Sequence, residues 1–431
     1  MAIQATYRGK FDFLQLYFGL DFIGVQPKFK VDTKHDRVSF IDPDNAKNSI
    51  VLNADHLKVD KNGDITGGTI TDIHFKVASE EAITITGLHA SAAKLQTAFE
   101  NGLSGLYPYL VGALSGKVQE TGDQFDNFFE VGPKGKATID AGAGNDRLYV
   151  WHQKDIVYDG GGDADQLIFD RQMGQSVMPG HGVTLDLKTG EGTNPYGGTL
   201  LVKNVENVTG TLRADTLSGS NKDDILYGGL DGNDVISGRD GSDTISVAGG
   251  FDGKSKITAD GGTGKDTLVY DISFVTGTHT FDVTKPTHNT GLFGNDKITG
   301  FENFTFNDFR IGTERANIHF IGSGHGETVI CARGDDIIDA GGGNDTMSGG
   351  FGENLFIFRR NFGDDTINDF GLDTAVNTIQ FDHNTFADFD AMKAHATQSN
   401  FDVIIDAGAD GSLRLKDFDV DDLQTGNFSF V

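Results

Sequence analysis

A nine-residue period constrains this chain more than any other feature. Residues 322–357 divide without gaps into GSGHGETVI, CARGDDIID, AGGGNDTMS and GGFGENLFI. Position 6 carries Glu327, Asp336, Asp345 or Asn354, each with a side-chain oxygen. Position 8 carries Val329, Ile338, Met347 or Phe356, each apolar. A short fixed period is the mark of stacked repeats that bury a core only against their neighbours. The same frame fits AGAGNDRLY from Ala141 and GGGDADQLI from Gly160. It fits GTLRADTLS, GSNKDDILY, GLDGNDVIS and GRDGSDTIS across residues 210–246, with Gly228 as one inserted residue. GGTGKDTLV from Gly261 matches at every constrained position, while TGDQFDNFF, near Thr121, and GLFGNDKIT, from Gly291, fit more loosely.

A lone aspartate in a glycine-rich turn is ordinarily a turn residue. Here the acid returns every nine residues, always two before an apolar position. Glycine reaches positive φ and allows close backbone approach, so peptide carbonyls can point inward. A carboxylate adds a charged oxygen to such a ring, and an oxygen-only, flexible ligand set suits Ca²⁺. The candidate metal ligands are Asp146, Asp165, Asp224, Asp234, Asp243 and Asp266, then Glu327, Asp336, Asp345 and Asn354, with turn positions Gly261, Gly264, Gly341 and Gly343. The last three residues of each repeat predict a short strand whose middle side chain enters a core. Stacked turns then make two parallel sheets with loops that hold several Ca²⁺ ions along each side. The competing reading is a metal-free, glycine-rich solenoid.

The pattern resembles the RTX family, whose glycine- and aspartate-rich nonapeptides form a parallel β-roll that binds calcium. The resemblance implies an ion between turns two repeats apart, which would pair Asp336 with Asn354 and Glu327 with Asp345. Glu327 and Asn354 depart from aspartate, so those sites would be weaker or serve as caps. In the first block Ala137 replaces the acid, and Asp163 stands where glycine is expected. Proteins of this family are bacterial, secreted by type I machinery that reads an uncleaved C-terminal signal, and DFDVDDLQTGNFSFV (residues 417–431) looks like that signal. An ordinary last strand would read the same way.

The expected fold class is mainly β, with parallel β-roll blocks separated by β-rich inserts and preceded by an α+β domain. The expected domains are an N-terminal domain at 1–120, roll blocks at 121–170, 210–270 and 322–358, inserts at 171–209 and 271–321, and a cap with the secretion signal at 359–431. A longer repeat supports the inserts: DGGGDADQLIFD leads to KNVENVTG, and DGGTGKDTLVYD leads to TGFENFTF. Residues 58–77 read as a hairpin with Asn62-Gly63 at its tip. Asp60, Asn62 and Asp64 hint at an EF-hand loop, but Thr71 stands where that loop needs glutamate. ASAAKLQTAFENG (residues 90–102) predicts a helix capped by Ser91, with Ala92, Leu95, Ala98 and Phe99 packing on a sheet. Residues 387–398 read as a second helix. Asp364, Asp365, Asp369 and Asp373 read as solvated loop charge, with a terminal ion as the alternative.

The formal net charge of −28 excludes a basic stripe for nucleic acid. The single cysteine, Cys331, excludes an intrachain disulfide and reads as structural. The start lacks the charged and apolar regions of a signal peptide, and the apolar run at residues 13–25 is too short for a membrane span. Neither H-E-x-x-H nor G-x-S-x-G occurs, which removes those zinc-protease and serine-hydrolase classes. His325 and His152, which follows the lone Trp151, read as surface residues. Two functions remain. The first is a secreted calcium-binding protein with a structural, surface or adhesion role, for which surface polysaccharide would be a partner. The second is a secreted carbohydrate-active enzyme with its site in the N-terminal domain or on the roll face.

Overall fold

Three-residue strands recur where positions 7 to 9 of the repeat place them, as in Arg147–Tyr149, Ile337–Asp339 and Thr346–Ser348. The structure is a computed structural model that describes residues 3–7, 28–41, 47–77, 80–100, 116–130, 135–150, 155–169, 180–250, 255–285, 296–309, 315–371 and 376–431. The apolar run at 13–25, Trp151, His152 and Asp373 lie outside them, as do residues 291–295, the start of the loose repeat. The fold is mainly β, and the chain divides into two units, Met1–Gly210 and Thr211–Val431.

In the first unit, Phe128–Glu130, Arg147–Tyr149, Gln166–Ile168 and Asn207–Thr209 form one parallel sheet in that order. Gly116–Thr121, Gly135–Asp140, Asp155–Asp159 and Thr199–Lys203 form a second. Strands of both sheets alternate along the chain, so repeats two apart become neighbours. Their middle residues, among them Phe129, Leu148, Leu167, Ile139 and Tyr158, are buried. Each such side chain stabilises the fold by about 1.5–3 kcal/mol relative to exposure.

The N-terminal region continues the second of these sheets. Ile3–Tyr7 pairs parallel with Gly116–Thr121 and antiparallel with Glu80–Thr86. Ile65–Val77, Ser49–Val59, Arg37–Ile41 and Lys28–Asp32 follow as an antiparallel meander. The predicted hairpin is present: Asp60 Oδ1 accepts the N–H of Asn62 at 2.7 Å and of Asp64 at 3.0 Å, and Gly63 turns the chain at φ +90°. The helix Ala92–Glu100 forms, with Lys94 N donating to Ser91 Oγ and with Ala92, Leu95 and Ala98 buried.

In the second unit one parallel sheet runs from Ile225–Tyr227 through Thr244–Ala248, Thr267–Asp271, Asn303–Asn307, Thr328–Ile330 and Thr346–Ser348 to Gly363–Ile367 and Gly411–Leu415. Facing strands include Gly277–Asp282, Ala316–Ile321, Ile337–Asp339, Leu355–Phe358, Thr378–Phe381 and Phe428–Phe430, again parallel. The insert therefore feeds its strands into the roll. Phe281 packs its ring 5.6 Å from Phe304 and 5.4 Å from Phe306, filling the core where the insert joins.

The C-terminal region departs from expectation in one respect. The helix at 387–398 is confined to Phe389–Lys393, N-capped by Asp388. Ala396–Ser399 is instead a strand antiparallel to Asp402–Asp406, with Thr397 opposite Ile404. Sheet pairing overrides helix propensity here, because Val403 and Ile405 of the partner strand are buried.

Candidate metal centre

Turns two repeats apart are tied by the acid or asparagine at position 6 of the later one. Glu327 N donates to Asp345 Oδ1 at 2.7 Å, and Asp345 N to Asp365 Oδ1 at 2.8 Å. Opposite them, Asp336 N donates to Asn354 Oδ1 and Asn354 N to Asn377 Oδ1, both at 3.0 Å. The pairs expected from the repeat, Asp336 with Asn354 and Glu327 with Asp345, are thus neighbours. In the middle block Asp224 N reaches Asp243 Oδ1 at 2.8 Å, Asp243 N reaches Asp266 Oδ1 at 2.7 Å, and Asp215 N reaches Asp234 Oδ1 at 2.9 Å. In the first block Asn127 N reaches Asp146 Oδ1 at 2.6 Å, and Asp146 N reaches Asp165 Oδ1 at 2.8 Å.

These bonds use one oxygen of each carboxylate. The other is buried without a hydrogen-bond partner in Asp146, Asp165, Asp234, Asp243, Asp266, Asp336 and Asp345, and so is Oε2 of Glu327. An ionised oxygen left so is costly, because desolvation is not repaid by any donor. Burial accordingly pushes Asp146, Asp234 and Asp345 up to about 8. It pushes Asp165 and Asp336 to about 7 and Asp243 to about 6. Asp266 and Glu327 move the same way for the same first cause. A row of buried, half-satisfied carboxylates fits a hard cation that accepts oxygen ligands only. Among the described residues no three His, Cys, Asp or Glu side chains converge on one point. Any cation held here would draw on main-chain carbonyls beside the single carboxylates.

Two candidates stand apart. Asp224 has its Oδ2 engaged by the Ser220 N–H at 2.6 Å. Asn354 spends its amide on its own turn, donating to Gly352 O at 3.3 Å. The glycine candidates are fixed by backbone shape. Gly264 has φ +140°, and a Cβ there would overlap the Gly241 carbonyl oxygen; Gly343 has φ +127° and faces the His325 carbonyl. Gly341 lies against the Ser323 carbonyl, and Gly261 against the Gly300 carbonyl and its own Asp266 carboxylate. At Asp163 an aspartate takes φ +74° in place of the expected glycine, and its Oδ2 accepts the Gly144 N–H at 3.2 Å.

Two frames are corrected by the hydrogen bonds. Gly228 is not the inserted residue: its N–H donates to Ser246 O at 3.0 Å, as the first glycine Gly219 does to Ser237 O at 2.8 Å. The extra residue falls after Gly229, whose φ of +107° matches the second glycine of other turns. In the first turn Gly122 N donates to Asp140 O at 2.8 Å, so position 6 is Asn127 rather than Asp126.

Other members of the network lie outside the position-6 candidates, although Glu206 and Glu302 fall in the longer repeat KNVENVTG and TGFENFTF. Glu206 Oε2 accepts the Asp165 N–H at 3.2 Å, and Glu302 Oε2 accepts the Asp266 N–H at 2.8 Å, so each insert supplies the next rung. Asp296 accepts the Ile257 N–H at 2.8 Å and the Tyr270 hydroxyl at 2.7 Å. Position 5 builds a second, outer row: Asp335 N to Asn317 Oδ1 at 3.1 Å, Glu353 N to Asp335 Oδ1 at 2.9 Å, Asp364 N to Asn344 Oδ1 at 3.0 Å. Repeated Asp or Asn at position 5, as in Asn145, Asp223 and Asn344, was the available clue. The acids after the roll are not simply solvated. Asp365 is buried in the inner row, and Asp369 accepts the N–H groups of Gly349 at 3.1 Å and Gly350 at 2.8 Å. Cys331 is buried and its thiol is pushed well up by burial, which suits a structural role. His325 is exposed, as expected.

A family model of the RTX calcium-binding nonapeptide repeat matches the chain in four copies, at residues 135–167, 209–245, 229–253 and 321–356. No curated protein sequence matches. Among solved structures, the extracellular lipase LipA from Serratia marcescens is similar at 12% identity over 96% of this chain and 85% of that one, with a TM-score of 0.19. A likeness that low says nothing about activity. Among the described residues no helix is long and apolar enough to cross a membrane.

Proposed function

We propose that this chain, which carries RTX calcium-binding nonapeptide repeats, is a secreted protein whose roll blocks fold when Ca²⁺ becomes available outside the cell. Its role on this reading is structural, at a surface or in adhesion. The observation that carries the proposal is the row of buried carboxylates whose second oxygens have no partner. Asp146, Asp165, Asp234, Asp243, Asp266, Glu327, Asp336 and Asp345 would supply the charged ligands. The carbonyls of the adjoining glycine-rich turns would supply the rest. When bound, the ion supplies positive charge to oxygens that the fold otherwise desolvates without return. The turn acids do the remaining work: with one oxygen each they fix the spacing of successive turns, and with the other they stay available.

Without calcium the same residues oppose folding. The acids repel one another, and the 59 glycines lose much conformational entropy on ordering. Binding to the folded state alone would then supply folding free energy by linkage. Scarce cytosolic calcium would keep the chain unfolded for export through type I machinery, with residues 417–431 as signal. Circular dichroism at about pH 8, where the turn acids are most ionised, in EDTA and in millimolar calcium tests this: the roll's β-structure should appear only with calcium, and equal β-structure in both would refute the reading.

A further inference from the structure

Four turns differ from the rest in how they treat the residue at position 6. Thr211 Oγ1 lies 3.1 Å from Asp215 Oδ1 and 3.2 Å from Oδ2, and the Thr211 N–H donates to Oδ2 at 2.7 Å. Ser220 repeats this on Asp224: Oγ lies 3.3 Å from Oδ1 and 3.0 Å from Oδ2, and its N–H donates to Oδ2 at 2.6 Å. Each hydroxyl also accepts a turn N–H, from Arg213 at 2.9 Å and from Lys222 at 3.0 Å. Asp123 plays the same part in the first block, accepting the Phe125 N–H at 3.0 Å and donating its own N–H to Asn127 Oδ1 at 3.0 Å. In the third block Ser323 donates to Glu327 Oε1 and accepts the His325 N–H at 3.0 Å.

Position 2 sorts the turns. Where it is Gly142, Gly161, Gly229, Gly262 or Gly341, the position-6 acid keeps a buried oxygen without a partner; Arg239 and Ala332 leave the same result. Where it is Thr211 or Ser220, the acid is not among those with an orphaned oxygen. Ser323 closes half of its longer partner, and Glu327 Oε2 stays without a partner. The self-closed turns stand at the starts of the blocks: Asp123 in the first, Thr211 and Ser220 in the second, Ser323 in the third.

The geometry points to a division of labour within the roll: a hydroxyl at position 2 decides whether a turn takes an ion, fully at Asp215 and Asp224 and in part at Glu327, and each block begins on a turn held by its own side chains. Thr211 and Ser220 hold their acids with donors that a cation would have to displace. The glycine turns downstream have no such donor. The first two blocks therefore start from turns whose shape is independent of calcium, and the ion-dependent turns stack onto them; in the third, Ser323 holds one oxygen of Glu327 and leaves the other for the ion. This inference rests on the calcium reading above.

The test is an ion count on the full chain by equilibrium dialysis with elemental analysis. Ser220→Gly turns that repeat into one of the glycine type, and it should bind one more calcium ion than the unaltered chain. Asp224→Asn should leave the count unchanged, whereas Asp243→Asn should lower it. An unchanged count in Ser220→Gly, or a loss in Asp224→Asn, overturns the inference. If Ser220→Gly fails to fold, the Asp224→Asn and Asp243→Asn pair decides alone. If the unaltered chain binds no calcium, the calcium reading itself falls, and this inference with it.

Discussion

Glu302 Oε2 accepts the Asp266 main-chain N–H at 2.8 Å, and Asn303 N returns a bond to Asp266 O at 3.0 Å. Glu206 and Asn207 treat Asp165 in the same way, at 3.2 Å and 2.9 Å. The Glu-Asn dipeptide is thus how both inserts rejoin the roll: it carries the rung that a turn acid would have supplied. Replacing Glu302 by Ala leaves the buried Asp266 N–H without its side-chain acceptor. The expected loss is about 1–3 kcal/mol in calcium-saturated protein, read by denaturant titration, with Glu302→Gln costing less. A loss no larger than at an exposed surface acid would contradict this role.

Removing turn acids should weaken calcium uptake in proportion to the oxygens lost. Asp336→Ala with Asp345→Ala removes two orphaned oxygens, and titration calorimetry should detect fewer ions. Asp60→Ala is the control: Asp60 shapes an exposed hairpin turn, so its loss should leave the ion count intact. Equal losses in both variants would show that the position-6 acids are not the ligands.

The acids also fix the direction of the pH response. In the metal-free fold Asp146, Asp234 and Asp345 are raised to about 8 and Asp243 to about 6, from an ordinary value of 3.8. A group raised on folding favours the folded state most at low pH, and that contribution is lost as pH climbs through the raised value. In EDTA, lowering the pH from about 8 to about 5 should therefore increase β-structure. With calcium present the sign reverses, because protons compete with the ion for the same oxygens. Circular dichroism across pH with and without calcium checks both arms. A metal-free fold most ordered at pH 8 would contradict the first.

Gly264 offers a test of the turn shape alone. Its φ of +140° and the Gly241 carbonyl against its missing Cβ leave no room for a side chain. Gly264→Ala should cost several kcal/mol, about the sum of a left-handed penalty and a displaced turn. Gly180, with open space around it, should tolerate alanine within about 0.5 kcal/mol. Melting curves in calcium separate the two.

The roll was legible because its period is both chemical and geometric. Asp336 and Asn354 could be paired once the resemblance to the RTX roll implied that neighbouring turns lie two repeats apart. What spacing could not supply was the frame inside a turn. Gly228 and Gly229 are identical letters, and only the bond from Gly228 N to Ser246 O shows which begins the repeat. Asp126 and Asn127 posed the same difficulty, because both carry an oxygen. The inner row also recruits residues from outside the period, such as Glu302 and Asp365, whose positions depend on how insert and cap fold back. Thr397 marks another limit: a short amphipathic run reads as helix until its strand partner at Asp402–Asp406 is in place.

In the inner row the position-6 N–H is accepted by a residue that comes later in the chain, as Glu327 N is by Asp345, 18 residues on, whereas in the outer row Asp335 N is accepted by the earlier Asn317. The inner row is therefore built vectorially. A chain leaving a ribosome or a pore with its N-terminus first cannot finish a turn until the circuit after it has also emerged. The growing edge always trails by one circuit, and any truncation inside a block strands its last two turns. After the last block Asn377 and Asp365 end this lag by providing acceptors for its last rungs, as Glu206 and Glu302 do for Asp165 and Asp266. The residues that follow a block are thus those that close it.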